Sequence, residues 1–232
     1  GNYEILPPRY YIGALYKYFP EWRNCNVLIF SDDAEYAKLN FDCAENIFFV
    51  GGLTDVEQLF LLTKCTHFIL ANSTFSWWGA YLGQKENSVV VRPNNYFKGE
   101  MVRTHSTKDF WEKDWKIHSL EKINLPDITF TIPVHYDHID RIANLQIILN
   151  FFHENFNTNI IVGEQGSNKM EHLTKYYSYK YIHFADMQLF HRTKMLNEMA
   201  KMSSTDFIAN YDADNLVTIL QLMLSIDALK NG

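Results

Sequence analysis

A chain of 232 residues is long enough for one large domain or two small ones, and 47% hydrophobic with 21% charged residues is the balance of a soluble globular protein. A net charge of -6 argues against a general nucleic-acid binder, which needs clustered lysine and arginine to neutralise phosphates. No apolar run approaches the roughly 20 residues that span a bilayer, so no transmembrane segment is expected, and the opening GNYEILPPRYY lacks the shape of a signal peptide.

Short apolar runs punctuate the first half at residues 26–30 (NVLIF), 47–50 (IFFV), 67–71 (HFILA) and 88–91 (SVVV). Such unbroken runs suit strands buried on both faces of a parallel sheet. Between them, residues 32–39 open with acids suited to a helix N-terminus, residues 55–64 follow Thr54 as an N-cap, and residues 77–83 make a shorter third helix. The alternation predicts α/β layering. Cys25, Cys43 and Cys65 fall in this part, without metal-ligand spacing. They read as buried free thiols of a reducing compartment, which places the chain in the cytoplasm or at the cytoplasmic face of a membrane.

From residue 92 to 125 the pattern loosens into a polar, aromatic stretch without a strong strand, read as one or two closing helices and a linker with its boundary near Asn124, Leu125 and Pro126. The α/β rhythm then restarts. ITFTIPV is a strand ending at Pro133, residues 139–152 have helical spacing, and NIIVGE, YKYIHF and DFIANYD are further strands. Residues 192–202 and 216–229 are helices. The expected organisation is two α/β domains, residues 1–124 and 125–232.

The last of these strands runs into Asp212 and Asp214 within IANYDADNLV. By itself this D-x-D is either a solvated acidic turn or a cation site, since carboxylates at i and i+2 of an extended chain face one side. The segments TIPVHYDHIDRIANL, IIVGEQGSN and FHRTKMLNEMA precede it in that order. The series resembles the N-terminal, nucleotide-binding half of GT-A glycosyltransferases, of the β-1,4-galactosyltransferase type and its family-two-like bacterial relatives. That resemblance implies Pro133, His135 and Arg141 around the nucleotide, Glu164 near the base or ribose, and Phe190 and Arg192 on uracil and phosphate. It makes Asp214 the ligand of Mn²⁺ or Mg²⁺, with Asp212 near ribose and metal, and the donor a UDP-hexose such as UDP-galactose. PVHYDHIDR departs from the pattern, having one arginine and two acids where the family has a basic cluster. His135 and His138 are either a metal pair or ordinary histidines, and Arg192 could equally be an exposed helix-start cation.

NSTFSWWGAYLG, residues 72–83, directly follows a buried strand. Polar residues at such a junction cap the helix, and the free amides there form an anion site to which Ser73, Thr74 and Ser76 add hydroxyls, while Trp77 and Trp78 pack the helix on the sheet. The alternative is an ordinary N-cap followed by core aromatics. The whole string resembles a motif of α-1,2-fucosyltransferases, and YYIGALYKY, IFSDDAEYAK and VVVRPNNYF extend the resemblance over about residues 1–120. It implies the donor-binding, C-terminal half of a GT-B-like fold, with GDP-fucose as donor and no metal. Ser31, Asp32 and Asp33 would lie near guanine and ribose, and Asn72, Ser73, Thr74 and Ser76 at the diphosphate.

The fucosyltransferase H-x-R-R-G-D-like motif is absent from the chain, and the GT-A resemblance stops soon after its D-x-D. The expectation is a segment of a bifunctional glycosyltransferase, a GT-B-like half followed by a partial GT-A domain, both Rossmann-like. It would use a glycan acceptor in glycan or polysaccharide synthesis, with no catalytic base assigned. The alternative is a non-catalytic nucleotide- or carbohydrate-binding module of degenerate transferase origin. A Rossmann oxidoreductase is disfavoured by the lack of G-x-G-x-x-G.

Overall fold

Two prolines set the first element. In the computed structural model, which describes residues 5–166, 175–185 and 189–231, helix α1 (Pro8–Tyr18) starts on a proline whose missing N–H costs nothing at that position. It buries Tyr10, Ile12 and Ala14, and the Tyr10 hydroxyl donates to the Leu70 carbonyl at 3.1 Å. The chain divides into two units, Gly1–Glu121 with Thr218–Gln221, and Lys122–Val217 with Leu222–Gly232. Each is a mixed α/β unit whose strands pair in parallel, the pattern of Rossmann-like folds.

In the first unit β1 (Val27–Ile29) leads through α2 (Ala34–Phe41) to β2 (Ile47–Phe49), and these two strands form one sheet. Helix α3 (Asp55–Leu62) precedes a second sheet of β3 (Phe68–Ile69), β4 (Val90–Pro93) and β5 (Lys116–His118), with α4 (Thr74–Gly83) after β3 and the single turn α5 (Met101–Thr104) after β4. All four expected strands are present. The expectation of no strong strand in residues 92–125 is corrected. β5 is a strand there, and the aromatics of this stretch form core: Tyr96, Trp111 and Trp115 are buried with Phe68, Leu70, Ala80 and Val90. The indole of Trp77 donates to the Phe110 carbonyl at 2.8 Å, but Trp78 stays 49% exposed and so does not pack α4 on the sheet. All three cysteines are free; Cys25 is exposed rather than buried, and burial pushes the Cys43 and Cys65 thiols up.

Thr54 and Glu57 close a capping box on α3: the Glu57 amide donates to the Thr54 hydroxyl, and the Thr54 amide donates to the Glu57 carboxylate at 2.8 Å. The Thr54 amide and then its hydroxyl hold the Glu57 carboxyl below its usual range. A depressed folded value stabilises above the unfolded value, and that contribution is lost as pH falls through the folded one. Thr54→Ala is expected to lower stability by about 1 kcal/mol at neutral pH. The gap from wild type should narrow on acidification, as read from urea midpoints at neutral and acid pH.

The second unit is built on β6 (Ile123–His135). It is flanked by β7 (Phe156–Gln165) and β9 (Phe207–Asn210), with β8 (Lys180–Phe184) outside β7, in the order β8-β7-β6-β9. Helix α6 (Ile139–Asn155) follows β6, α7 (Arg192–Met202) precedes β9, and α8 (Ile219–Asn231) contributes Leu222 onward to this unit. Residues 128–134 of β6 are all buried, so the strand is covered on both faces. The expected linker at Asn124–Pro126 is strand instead. Pro126, which has no N–H to give the ladder, lies where the β6–β7 register shifts between Leu125 and Thr129. The sheet order reverses at β6, and ligands of open parallel sheets sit outside the carboxyl ends of the strands at such a point.

Candidate functional site

The carboxyl ends of β6 and β9 deliver a charged cluster. Beyond β9, the Tyr211 amide donates to the Thr131 carbonyl at 2.9 Å, and burial then alternates: Tyr211 and Ala213 are inside, Asp212 and Asp214 outside. Both carboxylates are exposed, and the chain turns between them and Asn215, whose amide donates to the Asp212 carbonyl at 3.4 Å. Arg192, the first residue of α7, pairs with Asp212 at 2.5 Å, and Arg141, in the first turn of α6, pairs with Asp214 at 3.1 Å. Asp137 stands 3.5 Å from Arg141 and 3.6 Å from the His135 imidazole, whose ring stacks on Phe190 with centroids 5.5 Å apart and planes 21° off parallel.

The expected residues thus divide into two groups. His135, Arg141, Phe190, Arg192, Asp212 and Asp214 converge. Pro133 and Glu164 do not reach the surface: both are buried, because β6 and β7 run on past them to His135 and Gln165. The Glu164 carboxylate accepts a hydrogen bond from the Tyr181 hydroxyl. His138 is the N-cap of α6, its Nδ1 accepting from the Asp140 amide at 3.3 Å. Two contributors escaped sequence reasoning. Asp137 had a signal, its i,i+4 spacing to Arg141. Gln165 had only its place in the quoted IIVGEQ run; its buried amide donates to the Leu189 carbonyl at 2.5 Å and accepts from the His191 amide at 2.9 Å, gripping the chain on both sides of Phe190.

Among the described residues no three His, Cys, Asp or Glu side chains gather as a metal-holding group. Asp212 and Asp214 are hard oxygen donors that suit Mg²⁺ or Mn²⁺, but two side chains leave most of an octahedral shell to other oxygens, such as those of a diphosphate and water.

In the first unit the expected residues lie at the carboxyl ends of two strands. Ser73 caps α4 by accepting from the Phe75 amide at 3.2 Å, Thr74 is the exposed first helical residue, and Asn72 is half-buried beside them. The Ser76 hydroxyl turns inward, 3.1 Å from the Ala71 carbonyl and 2.9 Å from that of Ser73, so it braces the loop. After β1, the Asp33 amide donates to the Ser31 hydroxyl at 3.1 Å, and the Asp33 carboxylate caps α2 by accepting from the Tyr36 amide at 2.9 Å; Asp32 is exposed between them. The carboxyl ends of β4 and β5 border a cleft of about 340 Å³, counting its open mouth, lined by Leu6, Pro93, Asn94, Asn95, Ser119 and Leu120. Just before it, the Arg92 guanidinium lies 5.2 Å over the Trp111 ring, and burial lowers its pKa. These cleft residues carried no sequence signal beyond the end of VVVRPNNYF.

The family model for glycosyl transferase family 11 matches residues 5–119, the whole span of this capped, strand-end geometry. Residues 5–119 are a glycosyl transferase family 11 domain. The family 11 domain is similar to the O-antigen biosynthesis glycosyltransferase WbnK of Escherichia coli, 37% identical over 112 residues that cover 46% of this chain and 36% of that protein. It is also similar to an alpha-1,2-colitosyltransferase of Escherichia coli, 31% identical over 104 residues that cover 43% of this chain and 36% of that protein. The chain thus spans little more than one third of the length of these relatives. No solved structure matches it. The family 11 match ends before β6 and does not reach the second unit. Among the described residues no helix is long and apolar enough to cross a membrane.

Proposed function

We propose that the chain is a nucleotide-sugar-dependent glycosyltransferase. Its family 11 domain, the donor-binding half of a GT-B-like fold, takes GDP-fucose or a related GDP-deoxysugar. Its second unit, a partial GT-A-like domain, takes a UDP-hexose such as UDP-galactose. The acceptor is a glycan, and the setting is polysaccharide synthesis on the cytoplasmic side of a membrane, in line with the O-antigen role in the name of one relative. The observation that carries the reading is the family 11 match over a segment whose Ser73 and Thr74 open α4 at the carboxyl end of β3.

The chemistry is direct displacement. An acceptor oxygen attacks the anomeric carbon and gives its proton to a base, while the bond to the nucleoside diphosphate breaks and the electron pair leaves with the diphosphate. In the family 11 domain the first-turn amides of α4, with the Ser73 and Thr74 hydroxyls, hold that diphosphate without a metal. In the second unit Arg141 and Arg192 offer planar donor forks to it, while Phe190 and His135 supply a flat surface for the base. Asp212 and Asp214 would hold Mn²⁺ or Mg²⁺, which when bound contributes Lewis-acid stabilisation of the departing diphosphate.

Isothermal titration with GDP-fucose, GDP and UDP, each with and without Mn²⁺, tests this. GDP and GDP-fucose should bind without metal, and Thr74→Val should weaken them. UDP binding should require Mn²⁺ and be lost in Asp214→Asn. A protein that binds no nucleotide under any of these conditions is not such an enzyme.

A further inference from the structure

Helix α3 carries more apolar side chain than its neighbours cover. Five of its eight residues, DVEQLFLL, are Val, Leu or Phe, yet none of the eight is buried. A helix apolar around so much of its girth is ordinarily covered on more than one side. Its contact with α4 runs through Leu62 and Thr63, which a Cβ on Gly79 or Gly83 would approach to 2.9 and 2.7 Å. Turned away from that contact, Val56 is 77% exposed and Phe60, one turn on, 62%, with Leu53 also exposed before them. On α4, Trp78, Tyr81 and Leu82 are exposed on the side away from the two glycines. Taking ~200 Å² for each large side chain, these six leave roughly 650 Å² of apolar surface open. That exceeds the few hundred Å² of a typical monomer's largest patch. With a polar rim it approaches the area, about 800 Å² per partner, of a stable interface.

The charges beside this stripe decide what covers it. Glu57 stands one turn before Phe60 and Lys64 one turn after, its ammonium 4.4 Å from the Phe60 ring centroid. Glu57 and Lys64 are two turns apart, about 10 Å of axial rise, too far to pair within one helix. The stripe is acidic at one end, apolar in the middle and basic at the other, and such a pattern complements itself when reversed. A net charge of -6 and the first-turn acids Asp55 and Glu57 oppose an anionic lipid surface. We propose that this face is the interface of a symmetric dimer, α3 packing antiparallel on α3 of a second copy with Phe60 near the two-fold axis. Each Glu57 then meets Lys64 of the other chain, the apolar side chains of α4 flank the seam, and the two helix dipoles lie antiparallel. Such a dimer requires no nucleotide.

Analytical ultracentrifugation of the full chain tests this. At about 50 μM, above the micromolar end of affinities for interfaces of this size, the chain should sediment as a dimer and dissociate on dilution. Phe60→Gln, a good helix former at an exposed position, should weaken the dimer by about tenfold or more. Its unfolding midpoint should match that of the wild type at a dilution where both are monomers. Lys64→Glu should raise the dissociation constant by about tenfold, since two cross pairs turn repulsive. Glu57→Gln, which keeps the capping box, should weaken the wild-type dimer yet strengthen that of Lys64→Glu. A change of sign of this kind requires the two positions to meet across the interface. A chain that is monomeric at that concentration overturns the inference, as does a dimer unmoved by Phe60→Gln. An effect of Glu57→Gln with the same sign in both backgrounds overturns it too. A monomer that co-sediments with vesicles of phosphatidylethanolamine and phosphatidylglycerol, and loses this in Phe60→Gln, also overturns it and assigns the face to a lipid surface.

Discussion

Phe152→Ala is expected to destabilise the second unit by about 3–5 kcal/mol and to loosen the chain that presents Asp212. Phe152 is fully buried on α6, with ring centroids 4.6 Å from Phe130, 5.1 Å from Tyr211 and 5.9 Å from Phe156. Truncation removes the ring's buried apolar surface and leaves a cavity among large aromatics that cannot all close on it. Tyr211 is the neighbour that links this core to Asp212. Its ring lies against Phe152, and the next residue is Asp212. A urea titration should show a lower midpoint with an unchanged slope, and the variant's Mn²⁺-dependent UDP affinity should fall even where it is still folded. Phe152→Leu, which keeps most of the volume, should lose less on both measures.

Gly83→Val carries the largest expected effect in the first unit. A Cβ at Gly83 would lie 2.7 Å from the Thr63 Cα and 3.0 Å from the Thr63 carbonyl oxygen and the Phe68 ring. Main-chain atoms at the end of α3 cannot swing aside as a side chain can, so α4 would have to lift from α3. The loss should reach about 3 kcal/mol or more, the upper range for overpacking. Gly79 faces α3 one turn earlier, but its Cβ would meet the flexible Leu62 side chain at 2.9 Å, so Gly79→Ala should cost less. All five tryptophans, Trp22, Trp77, Trp78, Trp111 and Trp115, lie in the first unit. Tryptophan fluorescence during denaturation therefore reads this loss directly, and GDP binding should weaken with it because α4 begins at Ser73 and Thr74.

The β-strands were legible because continuous apolar runs are hard to place anywhere but between two covered faces; β1 to β3 lie within the runs so identified, and β4 begins in the fourth and continues to Pro93. Helix α1 was not read as a helix, although its proline pair, Pro7 as N-cap and Pro8 as first residue, suits a helix start. Tyr96, Trp111 and Trp115 were legible as aromatics but not as core, because an irregular segment has no period to reveal which side is inward. Asp212 and Asp214 stood out through the motifs before them. Their partners did not: Arg141 is 73 residues from Asp214 and Arg192 is 20 from Asp212, separations at which only the fold says who meets whom. Pro133 and Glu164 were placed at strand ends that lie farther on, an error of two residues and one, and enough to move a side chain from solvent to interior.

The grip of Gln165 on the chain around Phe190 separates the orientation of that ring from the surface around it. One side-chain amide both gives and receives a hydrogen bond, to Leu189 on one flank and from His191 on the other, and it is itself 1% exposed. The aromatic face presented beside His135 is therefore tethered to the interior of the sheet and not to the surface segment that carries it. Substitutions at neighbouring surface positions are expected to leave the orientation of the Phe190 ring largely unchanged, whereas loss of the Gln165 amide should free it.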